Sequence, residues 1–399
     1  MRVAVLGGGL QGCCIALALA RRGVDVTLFE RDEALLRGAS ANNEGKIHLG
    51  YVYACDRSIE TARLMIKGAL AFSRFLDIYL GDPGAIARST PFTYAVHRDS
   101  QIAPAEVAAH FRRVDEEISA LSERGDAHYF GADLFSSAML DRAGLARAFN
   151  PDLVQAAIQT PELAINPVRL CAALRARVMQ EPRIETRLGE TIVDVAGREA
   201  PYCVSTVEGG QTRGFDQIVN ALWAGRLVLD AKRGLTPSRP WLHRVKYGFF
   251  FHQPDLETSS TIVLGPFGDT TVYDDGWCFL SWYPAGLQGM GGELAPPPIA
   301  LSEPARERMR EASFEAIAAI VPEFGRLGPE ARRLAEARGG VITATAKTDI
   351  VDPQSELHMR SDIGVSSQAG YHSVDTGKFT MAPYFAEACA ARILSLECA

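Results

Sequence analysis

The sequence lacks most of the signatures that would place it outside the ordinary soluble globular proteins. Its eight cysteines include no C-x-x-C pair, so the common zinc and dithiol motifs are excluded. Its eight histidines include no H-E-x-x-H and no cluster at ligand spacing, and no metal is expected. Long apolar runs are missing too, since Cys13 to Ala20 is the longest near the N-terminus and is far too short to span a bilayer. Excess positive charge is also absent. The net charge of −7 and a pI near 5.7 argue against nucleic acid or an anionic membrane surface as a partner. No repeat or low-complexity tract stands out beyond a stiff Pro296-Pro297-Pro298 loop. The first motif starts six residues after Met1. That leaves no room for a leader peptide and, with scattered cysteines read as reduced thiols, points to the cytoplasm.

What is present begins at once. Arg2-Val3-Ala4-Val5-Leu6 reads as a buried parallel strand and runs into Gly7-Gly8-Gly9-Leu10-Gln11-Gly12, which opens an Ala/Leu-rich helix to Arg22. This is a G-x-G-x-x-G unit in the strand–turn–helix setting that gives it meaning. Gly7 permits the tight turn, Gly9 lets a pyrophosphate approach the backbone and Gly12 lets helix and strand pack closely. The phosphates sit on free N–H groups at the helix start, where Leu10 and Gln11 lie. A second strand, Val24 to Phe29, ends at Glu30 with Arg31 beside it, eighteen residues past Gly12. An acid at about that spacing hydrogen-bonds an adenosine ribose.

At 399 residues, 47% hydrophobic and 22% charged, the chain has globular composition and more length than one core requires, so two domains are expected. Helices are expected over 58–80, 104–124, 167–180, 303–321 and 383–396, three of them with proline in the first turn (Pro104, Pro167, Pro383). Strands are expected over 93–97, 184–187, 191–195, 203–207, 217–219, 245–251, 261–264, 270–273 and 277–282. Consecutive strands with Gly and Asp turns from Trp241 to Tyr283 follow antiparallel grammar, unlike the βαβ grammar of the N-terminus. The fold class is therefore α/β, a Rossmann-like dinucleotide domain interrupted by an inserted α+β domain on an antiparallel sheet. The boundaries read as 1–88, 160–235 and 340–399 for the first domain, and 89–159 and 236–339 for the second.

Three later segments carry a resemblance. They are Asn166-Pro167-Val168-Arg169-Leu170 leading to Glu190-Thr191-Ile192-Val193-Asp194-Val195; Asp216 to Gly225; and Gly370 to Pro383, ahead of the last helix. With the N-terminal unit and Leu242 to Phe251, they resemble the FAD-dependent D-amino-acid oxidase superfamily, which includes glycine and sarcosine oxidases. The resemblance implies a glutathione-reductase-like flavoprotein domain binding elongated FAD, with the reactive ring between the domains. Val193 then resembles the residue whose backbone meets adenine. Ser40, Asn42, Asn43, Gly45 and Lys46 fall in the loop beside pyrophosphate and flavin, and Ala221 and Gly225 at the turn leading back to it. Gly377, Lys378, Phe379 and Thr380 would meet the pyrimidine edge, where a lysine and a helix N-terminus stabilise the charge of the reduced ring. Some sarcosine oxidases bond their flavin through a cysteine in a segment like Gly340 to Asp349. This chain has none there, so non-covalent FAD is expected.

The stretch Asn43-Glu44-Gly45-Lys46-Ile47-His48-Leu49-Gly50-Tyr51 resembles the Ile-His-x-Gly stretch of FAD-dependent 2-hydroxyglutarate and glycerol-3-phosphate dehydrogenases. His48 is a candidate proton acceptor. Tyr247 and Tyr283 are candidate substrate walls. Arg244, Lys347 and Arg360 are candidate partners for a substrate carboxylate, with Lys347 ranked first because the chain there returns to the flavin. Two chemistries remain open: hydride removal from the α-carbon of an amino acid or small amine, preferred by superfamily frequency, and oxidation of a 2-hydroxy acid or other alcohol with His48 as base. A non-catalytic flavin-binding protein is a third. Substrate, electron acceptor and oligomeric state are not legible.

Overall fold

The computed structural model describes residues 1–81, 86–125, 128–132 and 134–397. Residues 82–85, 126–127, 133 and 398–399, which fall inside the expected domain ranges, lie outside the described residues. The N-terminal unit forms as its sequence dictates: strand β1 (Arg2–Leu6), helix α1 (Leu10–Ala20) and strand β2 (Asp25–Phe29). Val3 to Leu6 are fully buried, as a parallel strand covered on both faces requires. Every residue of α1 is buried, because the C-terminal helix Ala382–Glu397 and the helix Pro167–Met179 pack over it.

These elements belong to a six-stranded sheet in the order 364–368, 371–375, 217–220, β1, β2, 184–187. All neighbours are parallel except the first pair. A three-stranded antiparallel flap, Ile192–Ala196, Tyr202–Thr206 and Gln211–Phe215, lies beside it.

The second layer is a nine-stranded sheet organised on Trp241–His252. That strand pairs antiparallel along its length with Glu336–Thr345, and on its other edge with Leu287–Gly291 and Trp277–Trp282. One junction is parallel, Thr93–His97 beside Ser260–Val263. Val245, Phe249 and Phe251 bury with Met309, Phe314 and Ile317 of the helix Glu303–Ile320, while Arg244, Lys246 and Gly248, displaced by the strand's period of two, line the central cavity.

The expected helices are present, and so are the expected strands of the antiparallel sheet. Elements that were not expected include strands Val154–Gln159, Gln211–Phe215, Leu287–Gly291 and Tyr371–Asp375 and the short helices Arg142–Ala148, Arg226–Lys232 and Pro329–Leu334. Two further differences bear on the domain layout. Glu336–Thr345 is a strand of the large sheet, so the expected boundary at 340 falls inside it and the chain returns to the nucleotide domain later. Its repeated small residues (Gly339, Gly340) hid the strand pattern, and Gly339 is required because the Tyr247 ring lies where its Cβ would be, 2.4 Å away. Strand Gly364–Gln368 was also not expected, since its polar Ser-Ser-Gln run edges the sheet.

Candidate active site

One cavity of about 1160 Å³ runs from the glycine loop to the inner face of the large sheet. It exceeds the usual range for a drug-sized ligand, about 300–1,000 Å³, and has room for a dinucleotide and a small substrate together. Gly7 (φ +104°) carries the turn, and a Cβ there would lie 2.7 Å from the Ala221 carbonyl. At Gly12 it would lie 1.8 Å from the Gly7 carbonyl, which is the close helix–strand approach. At Gly9 it would meet only Ser40 Oγ, at 3.4 Å, so this glycine opens onto the cavity. Ser40 Oγ accepts from Leu10 N at 2.8 Å, and Glu30 Oε2 accepts from Gly8 N at 2.8 Å. A cradle floored by glycine, with an acid at its edge and amides at a helix start, fits the diphosphate and ribose of FAD.

Of the expected cofactor residues, Gly7, Gly9, Leu10, Gln11, Glu30, Arg31, Ser40, Asn42, Asn43, Lys46, Val193, Ala221, Gly225, Gly377, Lys378 and Phe379 line this cavity. Gly12, Gly45 and Thr380 do not. Gly45 (φ +64°) instead lets its backbone pass Ile165, whose carbonyl would be 1.9 Å from a Cβ. Thr380 Oγ1 accepts from His48 N at 2.9 Å and donates to Lys46 O at 3.3 Å, tying two loops together. Lys46 commits its ammonium to the large sheet, donating to Thr261 Oγ1 and, at 2.7 Å, to Asp269. Asn42 and Asn43 spend their amides on carbonyls of their own loop.

His48, Tyr247 and Tyr283 line the inner end of the cavity, but Lys347 is exposed and outside it. Its place is taken by Arg244 and Arg360, both buried. Lys347 opens the stretch that runs along the surface to Gln354, whereas Arg360 follows the buried turn at Leu357 and His358, which brings the chain back to the cavity. Arg244 Nη1 donates to the Tyr283 hydroxyl at 3.2 Å and lies 3.5 Å from Asp349, which also accepts from Tyr283 at 2.6 Å. Burial chiefly pushes the Tyr283 hydroxyl up to about 12. Arg360 donates to the Leu357 carbonyl at 3.4 Å, while its Nη1 is buried without a partner. Burial and then the Arg244 charge bring Arg360 down to about 10, and burial and then Arg360 bring Lys378 down to about 8.

His48 sits between opposite charges. Its Nε2 is 3.4 Å from Lys378 Nζ and its Nδ1 is 3.4 Å from Glu162 Oε1. Burial, then Lys378, lowers its pKa against the raising effect of Glu162, so the ring is neutral at pH 7. Glu162 has no exposed surface. Sequence reasoning missed it, because a single Glu after Pro161 carries no motif. Among the described residues no group of His, Cys, Asp and Glu could hold a metal ion.

The family model for FAD dependent oxidoreductases (DAO) matches residues 2–392. The chain belongs to the DAO family. It is an FAD-dependent oxidoreductase, and the cradle residues fit that cofactor. The fold is shared with glycine oxidase from Geobacillus kaustophilus, at 15% identity and a TM-score of 0.70, covering 99% of this chain and 95% of that one. It is shared too with the L-alpha-glycerophosphate oxidase of Mycoplasma pneumoniae, at 18% identity and a TM-score of 0.66, covering 99% and 94%. Among curated proteins, the tRNA 5-methylaminomethyl-2-thiouridine biosynthesis bifunctional protein MnmC of Shewanella pealeana is 50% identical over 46 residues, 12% of this chain and 7% of that protein. This chain therefore spans only a small part of that relative's length. Among the described residues no helix is long and apolar enough to cross a membrane.

Proposed function

We propose that this enzyme oxidises an amino acid or small amine that carries a carboxylate, with FAD held non-covalently and the chain in the cytoplasm. Bound FAD supplies the hydride acceptor. The observation that carries the reading is the Arg244–Arg360 pair on the cavity wall. Arg360 has no carboxylate within ion-pair distance among the described residues and leaves Nη1 unpartnered, so a substrate carboxylate completes it. Lys378 and the two guanidiniums repel an ammonium and favour the neutral amine, the form whose α-carbon gives up hydride. Tyr283 and Tyr247 wall the substrate space. The seven described cysteines are free thiols, in keeping with a reducing compartment.

A second reading, oxidation of a 2-hydroxy acid, is favoured by His48. A neutral buried imidazole backed by a carboxylate is equipped to take a hydroxyl proton. Anaerobic stopped-flow bleaching of the flavin with amino acids, the amines lacking their carboxylate, and 2-hydroxy acids tests both. We expect amino acids to bleach it, faster as pH rises through the amine pKa, and their decarboxylated analogues to bind about 10–100-fold more weakly, the worth of one charge-assisted contact. Bleaching by hydroxy acids with none by any amine selects the second reading. Equal response to the decarboxylated analogues overturns the carboxylate assignment. Precipitation with acid should release FAD into the supernatant; colour retained in the pellet would mean covalent attachment.

A further inference from the structure

A fully buried carboxylate, Glu162, lies behind His48. Glu162 follows the strand Val154–Gln159 and has no exposed surface. One carboxylate oxygen, Oε2, accepts from the Leu49 amide at 2.6 Å. The other, Oε1, accepts from the Tyr94 hydroxyl and faces His48 Nδ1 at 3.4 Å. Burial alone would raise this carboxyl, but His48, Lys46 and the Tyr94 hydroxyl outweigh it and hold the group ionised. A buried carboxylate is retained where it has donors to satisfy it.

We propose that Glu162 is a positioning residue that fixes the tautomer of His48. A carboxylate only accepts hydrogen bonds, so the ring nitrogen facing it must carry the proton. Nδ1 has no other partner, and a small rotation of the ring closes the 3.4 Å approach into a hydrogen bond. His48 is then the Nδ1–H tautomer. Nε2 presents its lone pair to Lys378 and to the cavity. The other charges and rings against His48 do not compete for Nδ1: Lys378 lies on the Nε2 side, Lys46 is turned to Asp269, and Tyr53 meets the ring edge-on at 6.2 Å between centroids. The His48 amide bound to Thr380 fixes the backbone beneath. The result is a proton acceptor pointed at the substrate space, with the carboxylate behind it ready to stabilise an imidazolium. The inference rests on this cavity being the substrate's, whichever substrate it takes.

The test is the nitrogen-15 spectrum of histidine side chains in the holoenzyme without substrate, the His48 signals identified by their loss in His48→Asn. We expect the wild-type ring neutral at pH 7 with the proton on Nδ1. In Glu162→Gln, the Leu49 amide claims the amide oxygen, which turns the NH₂ group toward Nδ1 and drives the ring to the Nε2–H tautomer. With the substrate found by bleaching, the same variant should keep its FAD, lose tenfold or more in the rate of flavin reduction if His48 is the base, and move the acid limb of the pH profile to lower pH. An Nε2–H tautomer in the wild type overturns the proposal even if Glu162→Gln does not fold. A folded Glu162→Gln with an unchanged tautomer overturns it as well. Neither result depends on which substrate class is correct.

Discussion

Lys378 and Arg360 show why charge at the level of single residues shapes this site. Both are cations on the wall of the cavity, and neither has an acid within ion-pair distance among the described residues. Each lowers its own pKa rather than finding a partner, Arg360 to about 10 and Lys378 to about 8. Their positive charge is therefore free to act on what enters. Lys378→Met should keep most of its FAD yet slow substrate reduction and make the flavin potential more negative, because the reduced ring loses a neighbouring cation. Potentiometric titration checks this, and an unchanged potential would show Lys378 to be a bystander. Arg360→Leu should raise KM for a carboxylate substrate about 10–100-fold with a smaller change in kcat, as loss of one charge-assisted contact predicts. Lys347→Leu, on the exposed stretch outside the cavity, should change neither.

At the scale of elements, the glycines separate into those that serve the fold and those that serve the cofactor. The distinction lies in what a Cβ would meet. Gly9→Val places its side chain in the cradle with only Ser40 Oγ close by. The variant should fold, with a near-wild-type far-ultraviolet spectrum, and contain little FAD. Glu30→Ala removes both the acid for the ribose and the acceptor for the Gly8 and Asp32 amides. It should weaken FAD binding by about 1.5–3 kcal/mol, less than Gly9→Val, as flavin content after dialysis would show. Gly45→Ala is of the other kind. At φ +64°, with the Ile165 carbonyl 1.9 Å from the new atom, it should cost about 2 kcal/mol or more, read as a fall in Tm. FAD content should follow only as far as the loop is displaced.

Across the whole molecule, burial of polar groups sets the response to pH. His48, His97, His110, His243, His358 and His372 all have pKa values lowered, chiefly by burial, His372 to about 4. Below their unfolded pKa of about 6.5 the unfolded chain binds protons that the folded chain refuses, so stability falls on acidification. The loss begins near pH 6.5 and continues toward pH 4, where His372 also charges. The Lys46–Asp269 pair joins the two domains through a carboxyl held down to about 2, its lysine neighbours, Lys46 first and then Lys246, outweighing burial. It should survive until well below that range. We expect Tm to fall steadily between pH 6.5 and 4. A flat profile there would mean the histidines are protonated in the folded state.

The sequence by itself determined the nucleotide unit. The turn at Gly7, the helix behind it and Glu30 at the end of the next strand all lie within thirty residues, and each is dictated by local sterics and hydrogen bonding. It determined part of the antiparallel layer too, the strands from Trp241 to Trp282 and Thr93 to His97, because the period of two and the turn residues are local signals, whereas Val154–Gln159, Leu287–Gly291 and Glu336–Thr345 became strands only through their partners. Tertiary structure decided the inner site. Arg244, Asp349 and Arg360 come from a strand and a return loop more than a hundred residues apart, and Glu162 reaches His48 across a similar distance. No periodicity announces such a meeting. Lys347 and Arg360 have the same charge and lie thirteen residues apart in sequence, and only the direction in which the intervening loop folds turns one into solvent and the other into the cavity.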